Sequence, residues 1–376
     1  DANGNFSGFS VIALNDAGQT AFFASLRVTS GGGSDNAGIF RGDGGAVTQI
    51  VRRGQITPDA NGSISGFTAV VDAVNDVGQV AFFASLFGTS DGASEAIFLG
   101  DGGTLTQIAR GGQLAPDANG SFTGFSNPAL NDAGKVAFLA RLTGTSGGSS
   151  DDVGIFRGEG GALTQIVREG QLAPDANGSF LSLESTGTFV NGAGQVAFTA
   201  SLTGTSGGGS DDRGIFRGEG GVITQIAREG QAATDNNGSL TLIGDPALND
   251  AGQVAFFARL TGTSGGNSDS EAIYFFDDIM GLLQVARLGD TLLGSSISSL
   301  SFNSGGQNKH RSGLNEAGDP RVAFLFSLTD GRQGVAIWEL NDGIVTVGFI
   351  PEPASASLLL LASVGLISRR YRRVIG

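Results

Sequence analysis

The sequence predicts an all-β protein, a β-propeller of about six four-stranded blades. One motif recurs six times at intervals of 56 to 66 residues, and short apolar stretches alternate with turns rich in Gly, Asn and Asp. No stretch with helical periodicity precedes the C-terminal end. Four strands of about six residues, with their turns and one longer link, require roughly this repeat length. Tandem β-sandwich-like units are the alternative, but they would expose one face of each sheet, and their strands should alternate more cleanly between apolar and polar residues than these do.

The recurring motif reads Asn-x-x-Gly-x-x-Ala-Phe. In the sixth copy it is stretched by two residues, so that Ala323 and Phe324 follow Gly318 at a greater distance. Asn favours turns by bonding nearby backbone groups, and Gly supplies the positive φ that closes a four-residue loop. We therefore assign these residues to structural turns rather than to catalysis. They are Asn15, Gly18, Asn75, Gly78, Asn131, Gly134, Asn191, Gly194, Asn249, Gly252, Asn315 and Gly318.

The third copy gives the order of elements within one repeat. A first strand at 125–130 leads through the Asn turn to a second strand at 135–143. A Gly/Ser/Asp loop, a third strand at 153–157, a Gly-rich turn and a fourth strand at 162–168 follow, before a link at 169–178. The second strand is apolar at both alternating positions, as Ala81, Phe82 and Phe83 illustrate in the second copy. Such a strand is buried on both faces, which favours blades packed between neighbours.

Two further patterns concern residues that could bear chemistry. An Arg ends the fourth strand in successive copies (Arg52, Arg110, Arg168 and Arg228), and the pattern predicts anchors that hold blades together by salt bridges or hydrogen bonds. The later copies depart from the repeat at Glu184, Tyr274, Asp277, Asp278 and Trp338. Terminal repeats are commonly atypical, so a structural role is the simpler interpretation.

Composition excludes several classes of site. The net charge of −14 disfavours nucleic acid, whose phosphates require basic patches. The absence of Cys excludes disulfides and thiolate sites, and the single His310 excludes metal sites built on several His residues. We predict no cofactor. Calcium remains an alternative, because loops at 149–152, 210–212 and 268–271 offer oxygen ligands, although without EF-hand spacing.

The composition changes abruptly at residue 351, which divides the chain into a repeat domain (1–350) and a tail (351–376). The first four residues repeat a phrase found inside three of the links, so we expect further sequence upstream and a truncated N-terminus. The tail begins with Pro351, Glu352 and Pro353, continues with an apolar run at 354–367 and ends in four arginines, Arg369, Arg370, Arg372 and Arg373. A helix of that length spans about 21 Å, less than a ~30 Å bilayer core, which favours transient membrane insertion with the basic end in the cytoplasm.

This three-part tail resembles the PEP-CTERM sorting signal of Gram-negative bacteria, and the body resembles tandem-repeat NxxGxxAF proteins. The resemblance implies that an exosortase is a partner during sorting and that it recognises Pro351, Glu352 and Pro353. It also implies that the four arginines stop transfer and that the repeat domain lies in the cell envelope, at the surface or in the extracellular matrix. It supplies no catalytic residues.

We therefore expect a secreted or surface-associated, non-enzymatic repeat protein that binds exopolysaccharide or another envelope component. The alternatives are a carbohydrate-active enzyme with carboxylates at one mouth of the propeller, and a structural spacer without a specific ligand. Convergence of Trp338, Tyr274 and Asp277 at one mouth would favour a specific site. Scatter of these three residues would favour a scaffold.

Overall fold

The computed structural model describes residues 3–67, 74–184, 189–305, 312–316, 318–340 and 345–349. The tail residues Pro351, Glu352, Pro353, Arg369, Arg370, Arg372 and Arg373, and the short helix expected there, lie outside the described residues, as does His310. None of the helices in the described part of the chain is long and apolar enough to cross a membrane.

The chain is all-β, and its described parts form six four-stranded antiparallel sheets that follow one another as the blades of a β-propeller. Each sheet is a meander in which strands adjacent in sequence are adjacent in space. The first strand of blades 3, 4 and 5 is divided into two segments that both pair with the second strand. A two-residue strand precedes the first long strand of blade 6. These arrangements match the element order that the repeat predicts.

The strand bounds are as follows. Blade 1 contains β1 (Asn5–Leu14), β2 (Thr20–Arg27), β3 (Ala37–Gly42) and β4 (Val47–Arg52), and blade 2 contains β5 (Ser63–Phe67), β6 (Val80–Phe87), β7 (Glu95–Gly100) and β8 (Leu105–Arg110). Blade 3 contains β9 (Ser121–Phe125), β10 (Ala129–Leu130), β11 (Val136–Thr143), β12 (Val153–Gly158) and β13 (Thr164–Arg168). Blade 4 contains β14 (Ser179–Leu183), β15 (Phe189–Val190), β16 (Val196–Thr203), β17 (Arg213–Gly218) and β18 (Ile223–Arg228). Blade 5 contains β19 (Ser239–Ile243), β20 (Ala247–Leu248), β21 (Val254–Thr261), β22 (Glu271–Asp277) and β23 (Gly281–Arg287). Blade 6 contains β24 (Thr291–Leu292), β25 (Ser295–Ser301), β26 (Arg321–Leu328), β27 (Gln333–Glu339) and β28 (Val345–Phe349).

The core lies between the blades rather than within any one of them. Among the described residues, five large hydrophobic clusters each join one blade to the next. In each junction, one face of a blade, here called its forward face, packs against the backward face of the following blade. Between blades 2 and 3, for example, Ala81 and Ile97 on the forward face meet Phe122 and Phe138 on the backward face. Both parities of the second strand are buried for this reason, as the sequence predicts.

The two outermost faces differ from this expectation. On the backward face of blade 1, Phe6 is 42% exposed and Phe9 is 64% exposed, whereas Phe122, the equivalent of Phe6 in blade 3, is fully buried. On the forward face of blade 6, Leu325 is 50% exposed, whereas its equivalent Phe83 in blade 2 is 9% exposed. Within the described residues, the first and last blades therefore do not cover each other, and the ring of blades is not closed between them.

Candidate functional site

The Asn turns form a ladder of hydrogen bonds between blades. Asn75 Nδ2 donates to the backbone oxygen of Asn131 at 3.1 Å and to Gln79 Oε1 at 2.8 Å, while its Oδ1 accepts from the Gln79 backbone N–H at 2.8 Å. Gly78 closes the turn with φ of +80°. The same bond to the next blade is made by Asn15, Asn131 and Asn191, with acceptors at Asn75, Asn191 and Asn249. These Asn side chains are buried and engaged, so they are not available for catalysis.

The other turn residues named from the sequence lie in equivalent positions. Asn249 bonds Gln253, and Asn315 Oδ1 accepts from the backbone N–H of Arg321, two residues later than in the other copies. The glycines all have positive φ, namely Gly18, Gly78, Gly134, Gly194, Gly252 and Gly318. Positive φ is accessible to Gly at little cost, which accounts for its recurrence in this turn.

The Arg at the end of the fourth strand bonds the link that precedes its blade. The side chain of Arg168 is 5% exposed, and its Nη1 lies 2.9 Å from Asp117 Oδ2. Its Nη2 donates to the backbone oxygen of Asn119 at 2.7 Å, and its Nε to that of Asp151 at 2.6 Å. Arg228 and Arg287 make the same three bonds, and Arg52 makes the two bonds to backbone oxygens. Arg110 makes the bonds to the link, while its Nε lies 3.4 Å from Asp91 Oδ2 in the loop. The guanidinium thus joins the incoming link to the loop between the second and third strands.

A second series of arginines, in the third strand, reaches the next blade. Arg41, Arg157 and Arg217 donate to the backbone oxygens of Gly78, Gly194 and Gly252, respectively. Both Arg series are occupied by protein acceptors, so their positive charges hold the fold together.

The carboxylates in the proposed calcium loops are also engaged by the protein. Asp211 accepts a hydrogen bond from Asn177 Nδ2 at 2.9 Å and from the Gly207 backbone N–H at 3.1 Å. A hydrogen bond from Thr205 lowers the pKa of Asp211 most, burial works against this, and the bonds from Asn177 and Gly207 add to the lowering. No group of three or more His, Asp or Glu side chains within the described residues is arranged to hold a metal ion.

A cleft of about 620 Å³ lies where blades 4 and 5 meet. Its polar lining includes Asn177, Gln225, Arg228 and Glu229, and its apolar wall is formed by Phe276 and Leu282 of blade 5. The volume falls within the range of ligand pockets, about 300 to 1,000 Å³. Polar groups on one side and apolar side chains on the other give the cleft two chemically distinct walls.

Phe276 explains why the cleft occurs at this junction. The sheet register places Phe276 opposite Val254, as it places Gly218 opposite Val196 and Gly100 opposite Val80. At Gly218, an added Cβ would come within 2.7 Å of Ile166 in the preceding blade. A phenylalanine at the same position therefore requires more separation between blades 4 and 5. The departure from the repeat at residues 274–278 was the sequence signal for this feature, but it did not reveal the cleft.

Gln225 lines the cleft, and its side chain carries an unpaired acceptor. Its Oε1 is buried and has no hydrogen-bond partner among the described residues, and the same holds for Gln49, Gln107, Gln165 and Gln284 at equivalent positions. A buried acceptor without a donor is costly, so such groups commonly bond water or a ligand. The Thr-Gln-Ile phrase recurs in the sequence, but nothing in the sequence indicates that the amide oxygen lacks a partner.

In blades 3 and 4, the residue after the Arg anchor is a glutamate that lies close to an aspartate: Glu169 to Asp152, and Glu229 to Asp212. Burial, and then the negative charge of Asp152, raise the pKa of Glu169 to about 7, and Glu169 is buried. Burial and the nearby Asp212 also raise the pKa of Glu229, while the charge of Arg213 opposes them. Of these two glutamates, Glu229 lines the cleft. Neither pair was identified from the sequence, because their proximity depends on the packing of two loops.

The three residues proposed as tests of convergence lie apart. Tyr274 is fully buried between blades 4 and 5, where it stacks on Phe256 with ring centroids 5.7 Å apart. Burial raises its pKa to about 12. Trp338 belongs to the core between blades 5 and 6. Asp277 accepts from Gln253 Nε2 at 2.9 Å and from the backbone of its own turn.

The remaining acidic residues that break the repeat form ion pairs. Asp278 lies 2.8 Å from Arg217 Nη2, and Glu184 lies 2.9 Å from Arg213 Nη2. These carboxylates belong to different surfaces and make no common site with Tyr274 or Trp338. The sequence-derived candidates are thus individually accounted for by packing, turns or ion pairs.

The family assignment follows from matches to both halves of the repeat domain. The model of a family of unknown function, DUF7453, matches residues 1–156 and 88–357, which together span all six blades. The chain belongs to the DUF7453 family. Curated protein sequences offer no match to this DUF7453 member.

Solved structures of similar architecture include several sugar-related proteins. The six-bladed fucose-recognising lectin of Aleuria aurantia is 11% identical, with a TM-score of 0.31 over 94% of this chain and 100% of that chain. A PL25 ulvan lyase is 11% identical, with a TM-score of 0.34 over 91% and 83% of the two chains. An α-L-arabinanase of Penicillium chrysogenum is 12% identical, with a TM-score of 0.34 over 88% and 92%. At such scores these likenesses carry no argument about activity.

Proposed function

We propose that this DUF7453 protein is a non-enzymatic surface repeat protein that binds a polysaccharide in the cleft between blades 4 and 5. The observation that carries the proposal is the cleft itself, in which the amide side chains of Asn177 and Gln225 face the aromatic side chain of Phe276. Sugar hydroxyls both donate and accept hydrogen bonds, while the C–H faces of a sugar ring pack on aromatic rings. The two walls of the cleft match these two properties.

The polar wall offers particular partners to a sugar. The side chain of Gln225 lines the cleft, and its amide Nε2 can donate to a hydroxyl. Asn177 already donates to Asp211 and accepts from the backbone N–H of Ser206, so it can add one further hydrogen bond at its Oδ1. Phe276, which is partly buried, presents its exposed part on the opposite side.

The arrangement of the unusual residues supports binding rather than catalysis. An enzyme requires its reactive groups to converge, whereas Tyr274, Trp338 and Asp277 lie at separate places and are engaged in packing or turns. The repeated Asn and Arg residues are likewise committed to the fold. These observations favour a binding scaffold as the first candidate.

The proposal includes delivery of the protein to the cell envelope through its tail. Support comes from the order of Pro351, Glu352 and Pro353, the apolar run and the four arginines at 369, 370, 372 and 373. Fractionation of cells that carry an exosortase should find the repeat domain outside the cytoplasm and separated from the tail. Replacement of Pro351 and Pro353 by Ala should leave the tail attached, and an unchanged product would contradict sorting by this signal.

Binding is tested by retention of the full chain on a panel of neutral and acidic polysaccharides, together with release of reducing ends. We expect retention without cleavage. Gln225→Ala and Phe276→Ala should each weaken retention about tenfold, since one hydrogen bond or ring contact contributes about 1 to 1.5 kcal/mol. The matched control is Gln107→Ala, which removes an equivalent unpaired amide in blade 2 and should bind as the parent does.

A carbohydrate-active enzyme is the second candidate, because Glu229 has the raised pKa of a general acid and lines the cleft beside Asp212. In that case the same assay would release reducing ends, and Glu229→Gln would abolish the release. Glu169→Gln is the control, since that carboxyl has similar chemistry but is buried. Cleavage that depends on Glu229 would replace the binding proposal, and failure of both retention and cleavage would favour a spacer.

A further inference from the structure

The five junctions between blades are built from the same two halves. The forward half presents an Ala of the second strand and an Ile of the third strand, such as Ala81 and Ile97. In four of the five junctions a large apolar residue of the second strand, such as Phe83, joins them, and in blade 4 this position is Thr199.

The backward half presents large apolar residues, many of them Phe, such as Phe122 and Phe138 in blade 3 and Ile64 and Phe82 in blade 2. A forward face always packs against a backward face and never against another forward face, so each contact is directional. The backward face of blade 1 and the forward face of blade 6 therefore have no partner among the described blades.

Both free halves are present in this chain and retain the apolar pattern. The backward face of blade 1 carries Phe6, Phe9, Phe22 and Phe40, which pack on one another with ring centroids 5.0 to 6.1 Å apart. The described residues of the cluster behind Phe22 and Phe40 all belong to blade 1. The exposed rings of Phe6 and Phe9 form an apolar surface, and its contact with water is unfavourable.

The forward face of blade 6 reproduces the other half. By sheet register, Leu325 pairs with Val335 as Phe83 pairs with Ile97, and Ala323 stands at the position of Ala81. Leu325 is half exposed, and Ala323, Val335 and Ile337 are partly exposed. A capping repeat would carry polar residues on its outer face, whereas these four positions are apolar.

We propose that the forward face of blade 6 binds the backward face of blade 1 of a second copy of this chain. The proposed contact continues the interface that already joins the six blades, which is why a second copy is the occupant that fits. The two faces are exposed in the same molecule, so they do not satisfy each other within one chain. Repetition of a directional contact of this kind produces head-to-tail chains.

The first test is the concentration dependence of mass for the full chain, measured by sedimentation at about 0.15 M salt to screen repulsion between acidic copies. We expect the weight-average mass to exceed twice that of the monomer at high concentration. Phe9→Glu and Leu325→Glu should each shift the population to monomers, because one charged end face prevents every contact. Phe87→Glu is the control, since Phe87 is 73% exposed on an interior blade.

Mixing the two end variants distinguishes this contact from other modes of association. The Phe9→Glu chain keeps an intact forward face and the Leu325→Glu chain an intact backward face, so a mixture should form 1:1 heterodimers and nothing larger. Dimers of Leu325→Glu alone would indicate that blade 1 faces pair with each other, which would overturn the proposal. Persistent monomers of the unmodified chain would overturn it as well.

Cross-linking provides a measurement that does not depend on charged substitutions. The chain has no Cys, so a variant with Phe9→Cys and Leu325→Cys carries thiols only at the two end faces. A short bis-thiol reagent should give a ladder of covalent multimers. A product linked within one chain would indicate ring closure, and absence of any link would indicate that the tail or another molecule covers the faces; either result would contradict the proposal. None of the three measurements involves the cleft, so their outcomes are independent of the proposed polysaccharide binding.

Discussion

The middle blades and the terminal blades share one residue pattern but differ in how that pattern is used. Phe122 of blade 3 is fully buried, while Phe6, at the same place in blade 1, is 42% exposed. The difference in exposure comes from the neighbouring blade and not from the blade itself, because no described residue of another blade packs on the backward face of blade 1. A strand that is apolar on both faces therefore shows that a blade is able to pack on both sides. The side chains are buried only where another blade offers a complementary face.

The Arg anchors do not show this difference. Arg52 in blade 1 is 6% exposed and donates to the backbone of Asn3 and Asp35, much as Arg168 does in blade 3. Each anchor joins parts of its own repeat with the incoming link, so it requires no second blade. Bonds within a repeat are thus retained at the end of the array, and contacts between repeats are not.

The largest expected effect comes from truncating equivalent Phe residues in the middle and at the end. Phe122→Ala should lower the free energy of unfolding by about 3 to 5 kcal/mol, because it leaves a cavity in a packed junction. Phe6→Ala should cost less than half as much, since its ring is already partly in water. Chemical denaturation of both variants at a concentration that keeps the chain monomeric measures the difference, and equal costs would contradict an open end.

The next effect concerns the Arg anchor. Arg168→Ala should cost about 3 kcal/mol, because it leaves the carbonyls of Asn119 and Asp151 and the carboxylate of Asp117 without their donor. Arg259→Ala serves as the control: its side chain is 59% exposed and its pair with Glu271 should contribute less than about 1 kcal/mol. Arg52→Ala in blade 1 should match Arg168→Ala, and a much smaller cost there would show that the anchor depends on neighbouring blades.

The smallest expected effect is a pH dependence that differs between repeats. At the position after the anchor, blade 3 has Glu169 facing Asp152, whereas blade 1 has Arg53, whose Nη1 lies 3.4 Å from Asn36 Oδ1. The pKa of Glu169 in the folded protein is about 7, above the ordinary value near 4.5 that it regains on unfolding. The folded state therefore holds the proton more tightly, and stability is lost as the pH rises between these values.

Glu169→Gln should remove that loss. We expect the variant to match the parent near pH 4 and to exceed it by about 2 kcal/mol at pH 8. This is less than the ~3.4 kcal/mol that a shift of about 2.5 pKa units would contribute without solvent screening. Thermal melts at the two pH values measure this, with Glu159→Gln in an exposed turn as the control. Equal gains at both pH values would indicate that packing rather than ionisation is responsible.

Much of the fold could be predicted from the sequence because the same turn and strand pattern recurs in six copies. The Asn and Gly of each motif specify the turn, and the two-sided apolar strand specifies a blade between neighbours. The cleft could not be predicted in this way. It depends on how far Phe276 holds blade 5 from Ile226 of blade 4, and these two residues are 50 positions apart in the chain.

The sequence by itself determined the repeat, its period, the turn at each Asn, the all-β class and the acidic character of the chain. Turn geometry and strand periodicity are local properties, so they can be read from neighbouring residues. Only the tertiary structure decided that the Gln225 oxygen lacks a donor, that Glu169 and Asp152 share a buried site, and that the first and sixth blades leave their faces uncovered. Each of these depends on distances between groups that are remote in the chain, and such distances are set by packing rather than by local pattern.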